Sequence, residues 1–209
     1  MKILTTFYRR MVMLTYQLQE GVIPTFSSSI PVRYAELTEA DHAAHRRFRP
    51  ALAAGELERR LGRGDRCFVM WQDDRLIHEC WVTTAERAYV PYLHREIRLE
   101  PGDAYYYGAY TDPGFRGRGL FTGCYSFIAR RLQQEGYRRS VALVAAENRH
   151  SVVVLERSGL EANGIYACLR LGRWQSHWQR PQAGHALLPL GRAHSEPGTE
   201  VARRPVAST

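Results

Sequence analysis

The sequence predicts a mixed α+β domain within the α/β class: a central, mostly antiparallel twisted sheet, flanked by helices and interrupted by one βαβ crossover. Three observations carry this. Between residues 32 and 111, short runs rich in β-branched and aromatic residues alternate with turn signals. From Asp112 onward the apolar period changes from that of a strand to that of a helix, and a glycine-rich loop stands at the change. The chain of 209 residues is 44% hydrophobic and 24% charged, enough for one full-sized core.

The elements follow in order. Leu4, Tyr8, Met11 and Tyr16 can share a helical face beside Lys2, Arg9 and Arg10, so residues 1–31 read as an N-terminal extension carrying a short helix. Packing on the domain is favoured over weak contact with a membrane surface, because so short a basic amphipathic stretch binds lipid only marginally. Residues 32–180 form the expected domain. Residues 32–35 read as a strand, and Thr38 with Asp41 three positions on signals a helix start, followed by a helix-rich stretch to about residue 61. The runs 67–71 and 76–82 flank Gln72-Asp73-Asp74-Arg75, a hairpin signal. With Asp73-Asp74 as a two-residue tip, Cys67 and Cys80 face each other. Strands are expected at 96–99 and 104–111, joined by the turn Glu100-Pro101-Gly102-Asp103. After the loop 112–119, apolar residues at 120, 121, 124, 127, 128 and 132 mark a helix that Gly136 ends. A strand at 140–144, a helix at 151–157 and a strand at 164–171 complete the crossover. Residues 181–209 are rich in Pro, Gly, Ala, Ser and Arg without apolar periodicity, and read as a disordered tail.

Composition excludes several classes. No stretch approaches the roughly 18 consecutive apolar residues of a membrane span, and the N-terminus lacks the pattern of a secretory signal, so a cytoplasmic protein is expected. The net charge of +8 comes from basic residues that, except for Lys2, are all arginine and stand in scattered pairs. Nucleic-acid binding is therefore disfavoured; a phosphate-bearing small molecule suits such a distribution. Cys67, Cys80, Cys124 and Cys168 show neither CxxC spacing nor nearby paired histidines, so no metal site and no disulfide framework is expected.

The loop Arg116-Gly117-Arg118-Gly119-Leu120-Phe121 carries the chemistry. Entering a helix from a strand, it presents unpaired backbone N–H groups at the positive end of the helix dipole, an anion site reinforced by two arginines. It lacks the Gly-Lys-Ser/Thr ending of a triphosphate P-loop and does not spell GxGxxG, which disfavours ATP and NAD.

Thr111-Asp112-Pro113-Gly114-Phe115-Arg116-Gly117-Arg118-Gly119-Leu120 resembles the acyl-CoA motif of the GCN5-related N-acetyltransferases (GNAT). Glu147-Asn148-Arg149-His150-Ser151 with Arg157-Ser158-Gly159-Leu160 resembles that family's second motif, and the likeness extends over about residues 32–173. The resemblance implies acetyl-CoA, or another acyl-CoA, as the cosubstrate. It implies that the backbone of Tyr110 and Thr111 pairs with the pantetheine arm, that Arg116, Gly117, Arg118, Gly119, Leu120 and Phe121 hold the pyrophosphate, and that Asn148 and Ser151 contact the arm or the phosphates. Phe121 and Leu160 depart mildly from the family pattern. Leu155 stands where many members carry the tyrosine that protonates the departing thiolate.

The expected activity is transfer of an acetyl group to a primary amine, of a small molecule or of a protein N-terminus or side chain, by direct attack. Glu79 is the favoured base, since period-two alternation sends its neighbour His78 to the opposite face; Tyr166, or else Tyr125, is the replacement acid. Three other readings stay open: a longer acyl donor, a catalytically silent acyl-CoA-binding module, and a basic nucleic-acid binder. No motif encodes the acceptor or the oligomeric state.

Overall fold

The computed structural model describes residues 6–26, 28–172 and 174–193. Its strands are β1 Thr6–Gln17, β2 Arg33–Glu36, β3 Arg66–Gln72, β4 Arg75–Thr83, β5 Arg87–Val90, β6 Arg95–Arg98, β7 Asp103–Thr111, β8 Arg139–Ala145, β9 Glu161–Leu171, β10 Trp174–Pro181 and β11 Leu190–Ala193. The helices are α1 His42–Phe48, α2 Glu56–Gly62, α3 Leu120–Gln134 and α4 Arg149–Arg157. Eight strands form one sheet in the order β10-β9-β1-β8-β7-β4-β3-β2, and β11-β6-β5 form a second. All adjacent pairs of the large sheet are antiparallel except β7 and β8, which are joined by the α3 crossover. The mixed α+β architecture is as expected.

Two apolar layers sandwich the large sheet. On one face Phe68, Met70, Ile77 and Tyr106 pack with Leu120, Cys124, Ile128 and Leu132 of α3 and with Leu155 of α4. On the other face Cys67, Val69 and Trp81 meet Leu57 of α2, while Met11, Met13, Tyr105, Val141 and Tyr166 meet Val90 and Ile97 of the small sheet. The stripe that predicted α3 is the stripe it buries.

The expected N-terminal helix is instead β1, an interior strand between β8 and β9. Met11 and Met13 face one core cluster and Val12 and Leu14 the other, so the run Met11-Val12-Met13-Leu14 is apolar on both sides, as a doubly covered strand requires. The helical spacing of Leu4, Tyr8 and Met11 is coincidental. Part of the segment 1–31 thus belongs to the sheet and not to an extension.

Three smaller expectations also change. Cys67 pairs with Trp81, not Cys80, because a bulge between Met70 and Trp71 shifts the hairpin by one residue and sends the two thiols to opposite faces. The strand near 96–99 pairs with β5 and β11, not with β7, so the turn at 100–103 passes between two sheets. Residues 182–193 of the presumed tail lie against the domain, with Leu188 buried and β11 paired to β6; residues 194–209 lie outside the described residues. No described helix is long and apolar enough to cross a membrane.

Because Leu14 is fully buried at the centre of β1, Leu14→Ala should cost roughly 2–5 kcal/mol in urea unfolding. Removing residues 6–17 should abolish cooperative unfolding, which deletion of a loosely attached extension would not do.

Candidate active site

The parallel pair β7 and β8 stays together only from Asp103↔Arg139 to Tyr106↔Ala142, although β7 runs on to Thr111 and β8 to Ala145. Past that point each strand follows its other neighbour. Tyr110 and Thr111 register with Glu79 and His78 of β4, while Ala145 registers with Met11 of β1. The result is a V-shaped opening lined by backbone. A bulge between the Glu79 and Trp81 registers adds one residue to β7, and Gly108 meets it with a φ of 61°.

Which amides face the opening follows from pairing. The Asp112 N–H donates to the Ile77 carbonyl at 3.0 Å. By antiparallel alternation the Thr111 amide then points into the V and the Tyr110 amide toward β4. Thr111 therefore offers backbone to the opening, whereas Tyr110 offers its ring, which packs edge-on against Phe48 at 5.4 Å and under the Arg49 guanidinium at 4.1 Å.

The loop after β7 is organised by Asp112. Its carboxylate accepts from the Gly114 N–H at 2.9 Å and from Arg75 at 2.8 Å, and Pro113 opens a short 3-10 turn. Gly117 and Gly119 then adopt φ of 74° and 71° to bring the chain into α3. No side chain caps α3, so the amides of its first turn stay available to an anion. A Cβ on Gly117 would meet nothing within 4 Å, so the loop borders open space. Arg116 and Arg118 are exposed and make no ion pair among the described residues; Arg116 Nε reaches the Thr111 carbonyl at 3.4 Å and Arg118 stacks on Phe115 at 5.4 Å. The residues present therefore fit a diphosphate. Leu120 is buried, and Phe121 packs half-buried with its ring 6.3 Å from His78.

Asn148 caps α4, its Oδ1 accepting from the Ser151 N–H at 3.2 Å. Leu155, at the position of the family's tyrosine, is buried in the core and offers no proton donor.

The expected catalytic groups are placed differently. Glu79 and His78 do point to opposite faces. Glu79, however, is fully buried, with one carboxylate oxygen on His45 Nε2 at 2.5 Å and the other held by Arg49 Nη1. Both oxygens are occupied, so Glu79 anchors α1 to the sheet and does not reach an incoming amine. Cys67 Sγ lies 4.0 Å from the same carboxylate. His45, Cys67 and Glu79 thus gather within 4.8 Å, but Arg49 already neutralises the carboxylate and burial pushes the Cys67 thiol well up, a poor fit to a cation. Tyr166 is fully buried under the small sheet, and its hydroxyl donates to the Leu188 carbonyl at 2.8 Å. Tyr125, on the buried side of α3, has its hydroxyl against Ser140 of β8. Neither serves as an acid at the V. Cys80 is pushed up to about 12 by burial, as expected of an inert thiol.

Sequence reasoning missed Asp112, Arg75 and Arg49. Only Asp112 carried a signal, the Asp-Pro-Gly turn.

A strand pair splayed at its carboxyl end, with an uncapped, glycine-led helix at the mouth, defines an acyltransferase fold of the GNAT type. The acetyltransferase (GNAT) family model matches residues 33–160, and the chain belongs to that family. No curated protein matches significantly. Among solved structures, a GCN5-related glucosamine N-acetyltransferase region of a fungal multi-domain GH3 β-N-acetylglucosaminidase superposes with a TM-score of 0.61 at 15% identity, over 84% of this chain and 21% of that one. A GCN5-related N-acetyltransferase from Sphaerobacter thermophilus gives 0.56 at 13% identity, over 88% and 55%. A Drosophila protein gives 0.54 at 16% identity, over 80% and 52%. This chain spans about half the length of the last two.

Two stability tests follow. Glu79→Gln leaves Arg49 and His45 facing a buried neutral amide and should cost roughly 3–5 kcal/mol in chemical unfolding. Burial holds His78 down at about 3 against an ordinary 6.5. Between those values the unfolded chain binds the extra proton, so stability rises with pH there; His78→Phe should flatten that rise in melting temperatures measured from about pH 4 to 6.5.

Proposed function

We propose that the protein transfers an acetyl group from acetyl-CoA to a primary amine by direct attack. The observation that supports this most is the open V of β7 and β8 leading to the uncapped mouth of α3. Arg116, Gly117, Arg118, Gly119 and the first amides of α3 hold the diphosphate, and the Thr111 backbone pairs with the pantetheine arm. Asn148 and Ser151 border the arm from the mouth of α4. Bound acetyl-CoA supplies an activated thioester.

In the reaction the amine nitrogen bonds to the acyl carbon, the carbon–sulfur bond breaks with its electron pair going to sulfur, and the amine proton passes to solvent. Backbone N–H groups lining the V are placed to stabilise the carbonyl oxygen. An ordinary thiol has a pKa of about 8.5, so thiolate departs near neutral pH without an obligatory acid, and leucine at position 155 is compatible with turnover.

Gly117 has a left-handed backbone, tolerated by Asn and Asp, and open space around it. CoA and acetyl-CoA should raise the melting temperature of the parent and of Gly117→Asn, but not of Gly117→Asp, whose carboxylate repels the diphosphate. Equal stabilisation of the two variants would count against the assigned loop.

A further inference from the structure

The strand β1 carries arginine past the end of β8. The Ala146 N–H donates to the Arg10 carbonyl at 2.9 Å, which sets Arg9 one residue beyond, on the open side of the V. Ala146 lies four residues past the last β7–β8 pair, Tyr106↔Ala142, and so does Tyr110. Because the bulge at Gly108 takes up one of those residues of β7 and Ala146 is level with Arg10, Arg9 stands about two residues further out than Tyr110, across the V from it.

They also share a face. Phe7 and Arg9 alternate with Met11 and Met13 onto the face opposite α3 and α4, and Arg170 joins them from β9 as the registered partner of Phe7. The anion loop opens at the mouth of α3, on the other face. An arm passing from that loop through the V would emerge on the face that carries Tyr110, Arg9 and Arg170.

The two lips differ in charge. Arg49 beside Tyr110 is neutralised by Glu79. Arg9 and Arg170 are not neutralised: among the described residues neither meets a carboxylate, and both guanidinium groups approach the Phe7 ring, at 4.3 and 5.9 Å. Arg9 is held in place between the Phe7 and Tyr92 rings, 4.8 Å from the latter, with Nη1 alone engaged, on the Tyr92 carbonyl at 3.2 Å and beside His94 Nε2 at 3.4 Å. Arg170 uses only Nε, on the Gly172 carbonyl at 3.0 Å. Two fixed guanidinium groups thus keep most of their donors unused. Burial and the charges of Arg9 and Arg170 also hold His94 below its ordinary range, so it adds no charge to compete.

Like charges gathered on one ring repel one another, and the arrangement is balanced when an oxyanion accepts from the free edges. We infer that Arg9 and Arg170 bind an anionic group, carboxylate or phosphate, carried by the acceptor amine. The substrate class is an amine that also bears an oxyanion. This rests on the acyltransferase reading and deepens it.

The test measures thiol release from acetyl-CoA for matched amines: the ω-amino acids from glycine to 6-aminohexanoate against n-alkylamines of equal length, and phosphoethanolamine against ethanolamine. Calorimetric titration with CoA runs in parallel. The anionic member of at least one series should show a kcat/KM roughly tenfold or more above its neutral match, and the two series distinguish carboxylate from phosphate. Arg9→Gln and Arg170→Gln should each raise KM for that acceptor roughly tenfold while CoA still binds, with Arg9→Lys recovering part of the loss. A protein that binds CoA but prefers neutral amines, ranks the pairs equally or acetylates none of the anionic amines overturns this inference alone. Failure to bind CoA removes the acyltransferase reading and this inference with it.

Discussion

The structure depends on two neighbouring strands parting company. After Tyr106 and Ala142 the hydrogen bonds between β7 and β8 stop, and unpaired backbone groups are left inside a sheet. Such groups are costly unless water or a ligand satisfies them. The parting persists because each strand is held from its far side, β7 by β4 and β8 by β1. The interior position of β1 is therefore a condition of the site. Without Met11 and Val12 beside Ala145 and Val144, nothing would hold β8 away from β7.

The same strand settles the electrostatics. Most arginines near the core are matched: Arg66 by Glu36 and Glu135, Arg139 by Asp103 and Glu100, Arg49 by Glu79. Those pairs bind elements to each other. Among the described arginines that meet no carboxylate, Arg116 and Arg118 stand at the α3 mouth and Arg9 and Arg170 at the other end of the V, while others, such as Arg33 over Trp71 and Arg130 on the Ser126 carbonyl, stand elsewhere. A net charge spread over a surface says little about partners; unmatched charges placed at both ends of one opening say considerably more.

How far the sequence could be read follows from the range of the interactions. The loop 112–119, helix α3 and the hairpin of β3 and β4 were legible, because glycine conformations, turn residues and apolar periodicity act within a few residues. The anion loop was the most legible part of the site for that reason. β1 was not, since its partners lie about 120 to 165 residues away and its two arginines sit past the buried portion, where strand and helix patterns look alike. The slip between Cys67 and Cys80 came from a single extra residue, invisible to a period-two reading. Alternation gives the face of Glu79, but not its role. What occupies its carboxylate is His45 and Arg49, on a helix 30 and more residues upstream. A carboxylate on a strand looks the same in sequence whether its oxygens are free or taken.

With Glu79 buried and paired, the same arginines bear on how the acceptor loses its proton. A primary amine has an ordinary pKa near 10.4 and must be neutral to attack. If an acceptor's oxyanion offsets one guanidinium charge, one positive charge remains on that lip. At an effective dielectric near 20, a charge about 6 Å away disfavours the ammonium form by roughly 3 kcal/mol, which corresponds to about two pKa units. About a quarter to a third of the amine would then be neutral near pH 8, against well under 1% at the ordinary value, and its proton could leave to solvent. On the proposed reading, the field that would draw in the acceptor's anionic end would also lower the pKa of its amine, so proton removal would not require the buried, paired Glu79.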